Sequence, residues 1–342
     1  MIKRKIIFLY VIIQIVTGLL DPSLNAQSKV GTSAAPFLGI PVGMRAIGMG
    51  GAVTAIVDDP SALYWNPGAI SRMAQSMLYA SQTNYLVGSN HKWVGLQLAI
   101  FDQHAIGISV NQVDYGDREK VTTVAMPDGT GEFWEARDLS VGLSYASNIT
   151  DRFSIGGTLK YIEQVIWHEK AWTGAADLGL LFITQFGGLQ IGATIRNFGG
   201  EMQLHGRDLR HRIDINPQNN GNNETLVAYM KTDSWPIPLS FTVGTALPMS
   251  IGENLGIVLS ADATRPTNNE ETLNIGTEIS IYRVLQIRFG YQSLFALKTE
   301  KGFSCGFGLI TPFLGKGLTV DYSFQAFGIF EPIQGFSINI KL

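Results

Sequence analysis

Few places in this 342-residue chain bring together side chains capable of chemistry. Asp58 and Asp59 are adjacent carboxylates that could share a proton or hold a cation, but directly before Pro60 they read as turn and cap residues. Gly48, Gly50 and Gly51 make a glycine-rich stretch, yet no Gly-Lys-Ser/Thr follows, so it is not a phosphate loop. His205 and His211 lie six apart in a polar segment, a poor arrangement for zinc. Cys305 is the single cysteine, which excludes an intramolecular disulfide, and on an apolar strand face it reads as inert. No serine, cysteine or histidine constellation suggests catalysis, so the reading is of a non-enzyme without metal or cofactor. Arg45 stands apart, because a guanidinium can fork onto a carboxylate such as Asp58 or one supplied by another part of the fold.

The elements that must position these residues follow from composition and periodicity. The chain is 45% hydrophobic but only 15% charged, with 38 glycines and a net charge of −3; a nucleic-acid binder and a disordered chain are both disfavoured. Lys3, Arg4 and Lys5 precede an apolar run from Ile6 to Leu20, and Leu24-Asn25-Ala26 offers a small residue before Gln27. That pattern predicts a secretory leader, 1–26, cleaved near Ala26, and a mature protein outside the cytoplasm. No later window is apolar over 18 residues, so a helical membrane protein is excluded.

From residue 76 onward, runs of about ten residues alternate apolar with small or polar side chains and end in turns. Fourteen strands are predicted, at 77–85, 92–101, 105–115, 136–147, 153–166, 175–184, 189–197, 239–247, 255–264, 272–281, 285–293, 303–311, 318–327 and 335–342. Their connections alternate between tight links and longer ones such as 116–135 and 198–238, as in barrels with short periplasmic turns and long outer loops. The expected fold is all-β: a fourteen-stranded antiparallel transmembrane barrel over 76–342, with an N-terminal plug or hatch segment over 27–75. Trp93, Trp134, Trp167, Trp172 and Trp235 are expected near the outer strand ends, at the level of the lipid headgroups. Lys160, Asp177, Arg196, Asp262, Glu278, Arg288 and Asp321 fall on the inward face, where charges of both signs predict a hydrated, self-paired interior. On that reading Leu143 faces lipid and Ser144 faces the lumen, so that arginine is tolerated better at Ser144.

Residues 28–75 do not alternate. Asp59 as N-cap with Pro60 at the first position, and the stop Asn66-Pro67-Gly68, predict a short helix between them. The stretch Arg45-Ala46-Ile47-Gly48-Met49-Gly50-Gly51-Ala52, followed by Asp58-Asp59-Pro60-Ser61-Ala62-Leu63-Tyr64-Trp65-Asn66-Pro67, resembles the N-terminal signature of the PorV/PorQ family of outer-membrane proteins. It is also similar to the plug of FadL-type fatty-acid transporters, in which an Asn-Pro-Ala motif ends the hatch; here Gly68 takes the place of the alanine. The resemblance implies a Gram-negative outer-membrane barrel with its N-terminal segment folded inside and, for relatives of PorV, a part in type IX secretion. Two functions follow as expectations. One is a secretion-associated barrel that meets secretion-machinery or cargo proteins through loop 198–238, with Arg207, Arg210 and Arg212 as contacts, in a stretch expected to be polar, mobile and remote from the wall. The other is a channel for hydrophobic small molecules, for which Phe37, Leu38, Ile40, Val42, Met44, Ile47 and Met49 could line a greasy site. Predominantly Ser, Thr, Gly, Asn and charged inward faces favour the first. Outer-membrane lipid is the expected surrounding partner in both, and nucleic acid in neither.

Overall fold

The computed structural model describes residues 31–342 except 57, 102, 216, 217, 219–225, 297, 298, 314 and 315; the expected leader lies outside the described residues. Period-two alternation folds into fourteen strands: β1 Met77–Asn84, β2 Asn90–Ile100, β3 His104–Asp114, β4 Ala136–Asn148, β5 Phe153–Ile166, β6 Glu169–Ile183, β7 Gln190–Gly199, β8 Ser240–Ile251, β9 Leu255–Pro266, β10 Thr272–Ile281, β11 Leu285–Tyr291, β12 Lys301–Phe313, β13 Lys316–Phe327 and β14 Ile333–Lys341. Each pairs antiparallel with its neighbour in chain order, and the ring closes where β1 meets β14, from Met77↔Lys341 to Asn84↔Gln334. Closure leaves no unpaired sheet edge. In β1 the alternation is complete, with Met77, Tyr79, Ser81 and Thr83 buried and the residues between them exposed. Around the ring the outward positions include Val94, Ile108, Leu143, Leu159, Leu178, Phe289, Phe307 and Phe336, all exposed. A continuous apolar belt of that kind suits hydrocarbon, not water, and defines a membrane-spanning barrel.

Short connections gather at one end of the barrel, the turn end, and long ones at the other, the loop end. One expected long link is short: β6 begins at Glu169 instead of 175, leaving only Trp167 and His168 after β5. Its first residues escape an alternation search because Glu169 and Thr173 face inward while Lys170 and Trp172 face outward. Trp167 closes the hairpin in the left-handed region (φ 53°), its ring 4.1 Å from that of His168. Loop 198–238 also differs from expectation. It carries its own short strands, and His205–Gly206 pairs with Lys170 and Glu169 of β6, so the loop is tied to the wall. Trp134, Trp172 and Trp235 are exposed, but Trp93 is buried inside against Tyr79, with ring centroids 5.8 Å apart.

The described part of the N-terminal region, 31–75, has helices α1 Met44–Gly48 and α2 Ala62–Trp65 and the 3-10 turns Pro36–Gly39 and Pro67–Arg72. Asp59 Oδ1 accepts from Ser61 N at 2.8 Å, and α2 ends at Asn66 before Pro67. The segment starts at the loop end, where Ala34 N donates to Pro236 O, and leaves at the turn end, where Ser76 O accepts from Leu342 N. Between those points it fills the bore. Val42, Met49, Leu63, Trp65 and Ile70 pack with wall residues Tyr79, Trp93 and Leu181, while Phe37, Leu38 and Ile40 pack with Val113, Ile162 and Met202 nearer the loops. The interior is therefore packed instead of freely hydrated, and this overturns the expectation for Ser144, which is buried and bonded to Thr158 at 2.7 Å. Leu143→Arg should cost about 2–4 kcal/mol if the site lies near the bilayer midplane. Ser144→Arg should be at least as damaging, because the inner segment leaves no space. Folded fractions in liposomes, read from heat-dependent gel mobility, check both.

Candidate functional site: the filled lumen

The inner segment meets the wall in two ways, through glycines and through charges. Its backbone lies directly against inward positions that carry no side chain. A Cβ on Gly48 would stand 3.3 Å from Gly306 Cα, and one on Gly68 would stand 2.6 Å from Gly179 O. Conversely, a Cβ on Gly276 would meet Met49 O at 2.5 Å, and one on Gly192 would meet Thr54 C at 2.8 Å. Gly50 is doubly constrained: its φ of 65° suits glycine, and a Cβ there would lie 2.7 Å from Tyr291 N. Gly51 shares the left-handed conformation. These contacts also explain why alanine does not stand at Gly68.

Arg45, on α1, is the polar link. Its Nε donates to Glu278 Oε2 at 2.8 Å and its Nη2 to Glu278 Oε1 at 2.9 Å, a two-pronged grip on β10. Nη1 pairs with Asp58, and Asp59 Oδ2 lies 3.9 Å away. Burial pulls the Arg45 pKa down, but Asp58 and Glu278 outweigh it and hold the guanidinium charged, well above its ordinary range. Burial acts the opposite way on Asp59 and raises its carboxyl pKa in spite of Arg45. Glu278 also takes Arg288 Nε at 2.7 Å, and Arg288 Nη1 reaches Asp321 at 2.6 Å, so three wall strands and the inner segment share one ion-pair chain.

The remaining inward charges form a second group. Lys160 pairs with Asp177 at 2.6 Å and donates to Asn197 Oδ1 at 2.8 Å. Asp262 Oδ2 accepts from Val53 N at 3.0 Å and Thr54 N at 2.9 Å, taking up backbone donors that the irregular segment cannot satisfy itself. Arg196 lies over the rings of Tyr64 and Trp65, at 4.9 and 5.4 Å. Trp65 Nε1 donates to Val42 O at 2.8 Å. Asn66 is a junction: Nδ2 donates to Thr54 O at 2.8 Å and to Leu180 O at 3.0 Å, while Oδ1 accepts from Gly68 N. Pro67 starts the next 3-10 turn, where an N–H would have no partner.

The structure thus brings Arg45, Asp58, Asp59, Glu278, Arg288 and Asp321 into one cluster, and Lys160 and Asp177 into another. It places Arg207, Arg210 and Arg212 elsewhere, on the loop-end surface. Arg207 Nη2 is 2.6 Å from His168 Nε2, and Arg210 lies 5.5 Å from the Tyr229 ring. Asn197 was not singled out by sequence. A bulge in the β6 and β7 pairing, with Asn197 at φ 61°, lets Arg196 and Asn197 both face inward. The signal was present in Arg196-Asn197, since asparagine tolerates that conformation. Among the described residues no group of three or more metal-ligating side chains occurs. A cavity of about 550 Å³ opens at the turn end, lined by Ile56, Met73, Met77, Leu181 and Val258 and bordered by Arg45, Asp58, Arg72 and Lys341.

The whole is a closed fourteen-strand antiparallel barrel filled by its own N-terminal segment. Among solved structures, the chain resembles the toluene transporter TodX of Pseudomonas putida, with a TM-score of 0.52 and 14% identity over 87% of this chain and 96% of that one. It is likewise similar to a TodX deltaS2S3 mutant, a monoaromatic hydrocarbon channel, with a TM-score of 0.53 and 13% identity over 87% and 97%. No family model and no curated protein matches the sequence.

Gly68→Ala should destabilise the fold by about 1–3 kcal/mol through overpacking. Glu278→Gln leaves buried guanidinium groups short of a carboxylate and should cost about 3–5 kcal/mol, the scale for breaking a buried pair. Lower unfolding temperatures in both, with faster proteolysis between residues 31 and 75 in Glu278→Gln, check the assignment.

Proposed function

We propose that this protein is a non-enzymatic barrel of a Gram-negative outer membrane that passes hydrophobic small molecules along its bore, gated by the inner segment. The carrying observation is the manner in which the bore is filled. Among the described residues the segment joins the wall covalently at its β1 end, and much of its hold is polar: Arg45 on Glu278, Asp262 on Val53 and Thr54, and Asn66 on Leu180. Such contacts can be exchanged for water during a displacement without unfolding the wall. The turn-end cavity supplies a partly apolar vestibule beside Arg45. The polar inward faces that argue against an apolar route are largely engaged by the segment, so they do not describe what a displaced segment would leave. The likeness in fold to hydrocarbon-passing TodX supports the same reading.

Gating is tested by locking the segment. A Cβ at Gly48 stands 3.3 Å from Gly306 Cα and one at Gly306 3.4 Å from Gly48 Cα; the latter also meets Tyr322 O at 2.9 Å, so the reduced double variant is the control for any cost in packing. In a Cys305→Ser background, Gly48→Cys with Gly306→Cys should abolish uptake of a toluene-like probe into proteoliposomes when oxidised, and reduction should restore it. Equal uptake in the oxidised and reduced forms sinks the gate.

A second reading, a PorV/PorQ-type role in type IX secretion, is favoured by one feature. The hairpin of Arg210–Ile213 with Leu226–Tyr229 projects at the loop end, with Arg210, Arg212, Val227 and Tyr229 exposed. Replacing 211–228 by a Gly-Ser link should leave the barrel folded on both readings. Only on this one should it stop delivery of secreted cargo in the native strain.

A further inference from the structure

The outward face of the barrel is apolar at mid-height all round, but above that band its two sides differ. On the β7 to β12 side the upper outward positions include Phe198, Phe241, Tyr291 and Phe303, all exposed, with one exposed ion pair, Arg265 and Glu271, beside Phe241. On the β2 to β4 side the corresponding positions are Asn90, Lys92, Gln112, Asp114 and Arg137, each flanked by inward residues such as His91, Trp93, Asn111, Val113 and Asp138. These polar side chains line a cavity of about 490 Å³, which Gly116, Asp117 and Glu135 close from the loops. Directly below it on the same strands stand Val94, Val110 and Val141, followed by Leu143.

We propose that this cavity holds the phosphorylated sugar headgroup of an outer-leaflet glycolipid. The position selects a lipid. A ligand seated here keeps its polar part in the cavity while its acyl chains run down Val94, Val110, half-buried Val141 and Leu143, an arrangement no wholly water-soluble molecule gains from. The side chains select the headgroup. Arg137 has one ion-pair contact, with Glu163 at 3.9 Å, so most of its fork of donors is available to a phosphate. Lys92 lies two residues nearer mid-height in register, 2.9 Å from Asp114, and adds a second cation. Asp114, fixed by Lys92 and by Gln112 at 2.7 Å, joins Asn90 and Gln112 as fixed polar partners for sugar hydroxyls. Glu135 is similarly tied to Arg118 at 2.6 Å. Lys92 and Arg137 are the phosphate donors, and the carboxylates beside them, Asp114 tied to Lys92 and Glu135 tied to Arg118, accept from sugar hydroxyls, which a glycerol phosphodiester offers in smaller number. Stacked Tyr161 and Trp172, with centroids 6.3 Å apart, continue an aromatic shelf on β5 and β6 at the level where headgroup passes into hydrocarbon. The inference rests on outer-membrane placement and not on transport, so either can fail alone.

The test is native mass spectrometry of the full mature chain in detergent. The probes are a bisphosphorylated glucosamine-disaccharide lipid, its dephosphorylated form and phosphatidylglycerol. The unaltered protein should retain the bisphosphorylated lipid about tenfold better than either comparator, the scale of one or two charge-assisted hydrogen bonds. Lys92→Gln with Arg137→Gln should abolish that preference, and Arg137→Gln alone should remove most of it. Arg265→Gln, an exposed cation on the β9 side, should leave it unchanged, and heat-dependent gel mobility confirms that each variant is folded. The proposal is overturned if the double variant keeps the preference, if Arg265→Gln loses it equally, or if phosphatidylglycerol binds as well as the glycolipid.

Discussion

A ring of fourteen strands encloses a bore wider than inward side chains can fill, since eight strands already bring facing side chains into contact. Everything inside this protein depends on how that space is occupied. Here the chain fills it with its own backbone, laid flat on a wall made smooth by glycine. Met49 on Gly276, Thr54 on Gly192 and Gly68 on Gly179 are contacts of backbone with backbone, too close for any intervening side chain. The inner segment is short of regular structure, so the wall must also answer its unpaired backbone groups. Asp262, at Val53 and Thr54, and Leu180 O, at Asn66, do so.

The buried charges follow from the same constraint. An arginine inside a packed bore is costly unless its whole fork is met, and Arg45 is met by two carboxylates from different parts of the chain. Glu278 in turn serves Arg288, whose second partner is Asp321. The chain of pairs fixes where α1 sits along the wall as much as how firmly. Apolar packing of Met44, Ile47 and Met49 alone would tolerate a shift in register; a bidentate pair does not.

The wall was legible in the sequence because membrane strands alternate, and residues such as Leu139, Val141 and Leu143 announce their face without reference to anything distant. The inward charges were legible by the same rule. Alternation failed where the outward face is not apolar, as at Lys170, and where a bulge breaks the count, as at Asn197. It also could not distinguish an inward residue that faces water from one that faces protein, which is why Ser144, correctly turned inward, was expected to have room around it, while Trp93 was set among the headgroups by residue type although it turns inward. The inward glycines were visible as small residues. Their meaning lies in contacts with a segment more than a hundred residues away for Gly179 and Gly192, and spacing along one strand does not encode such contacts.

The path of the inner segment has a consequence for the seam of the barrel. It enters at Ala34 under the outer loops and leaves at Ser76 beside the last residue of β14, spanning the height of a ring whose first and last strands pair with each other. The seam is therefore held twice, by the β1 and β14 ladder and by a strap inside that runs from the loop end to the start of β1. The place where the cylinder is stitched shut is thus also where its contents are moored, with Ser76 O bonded to Leu342 N.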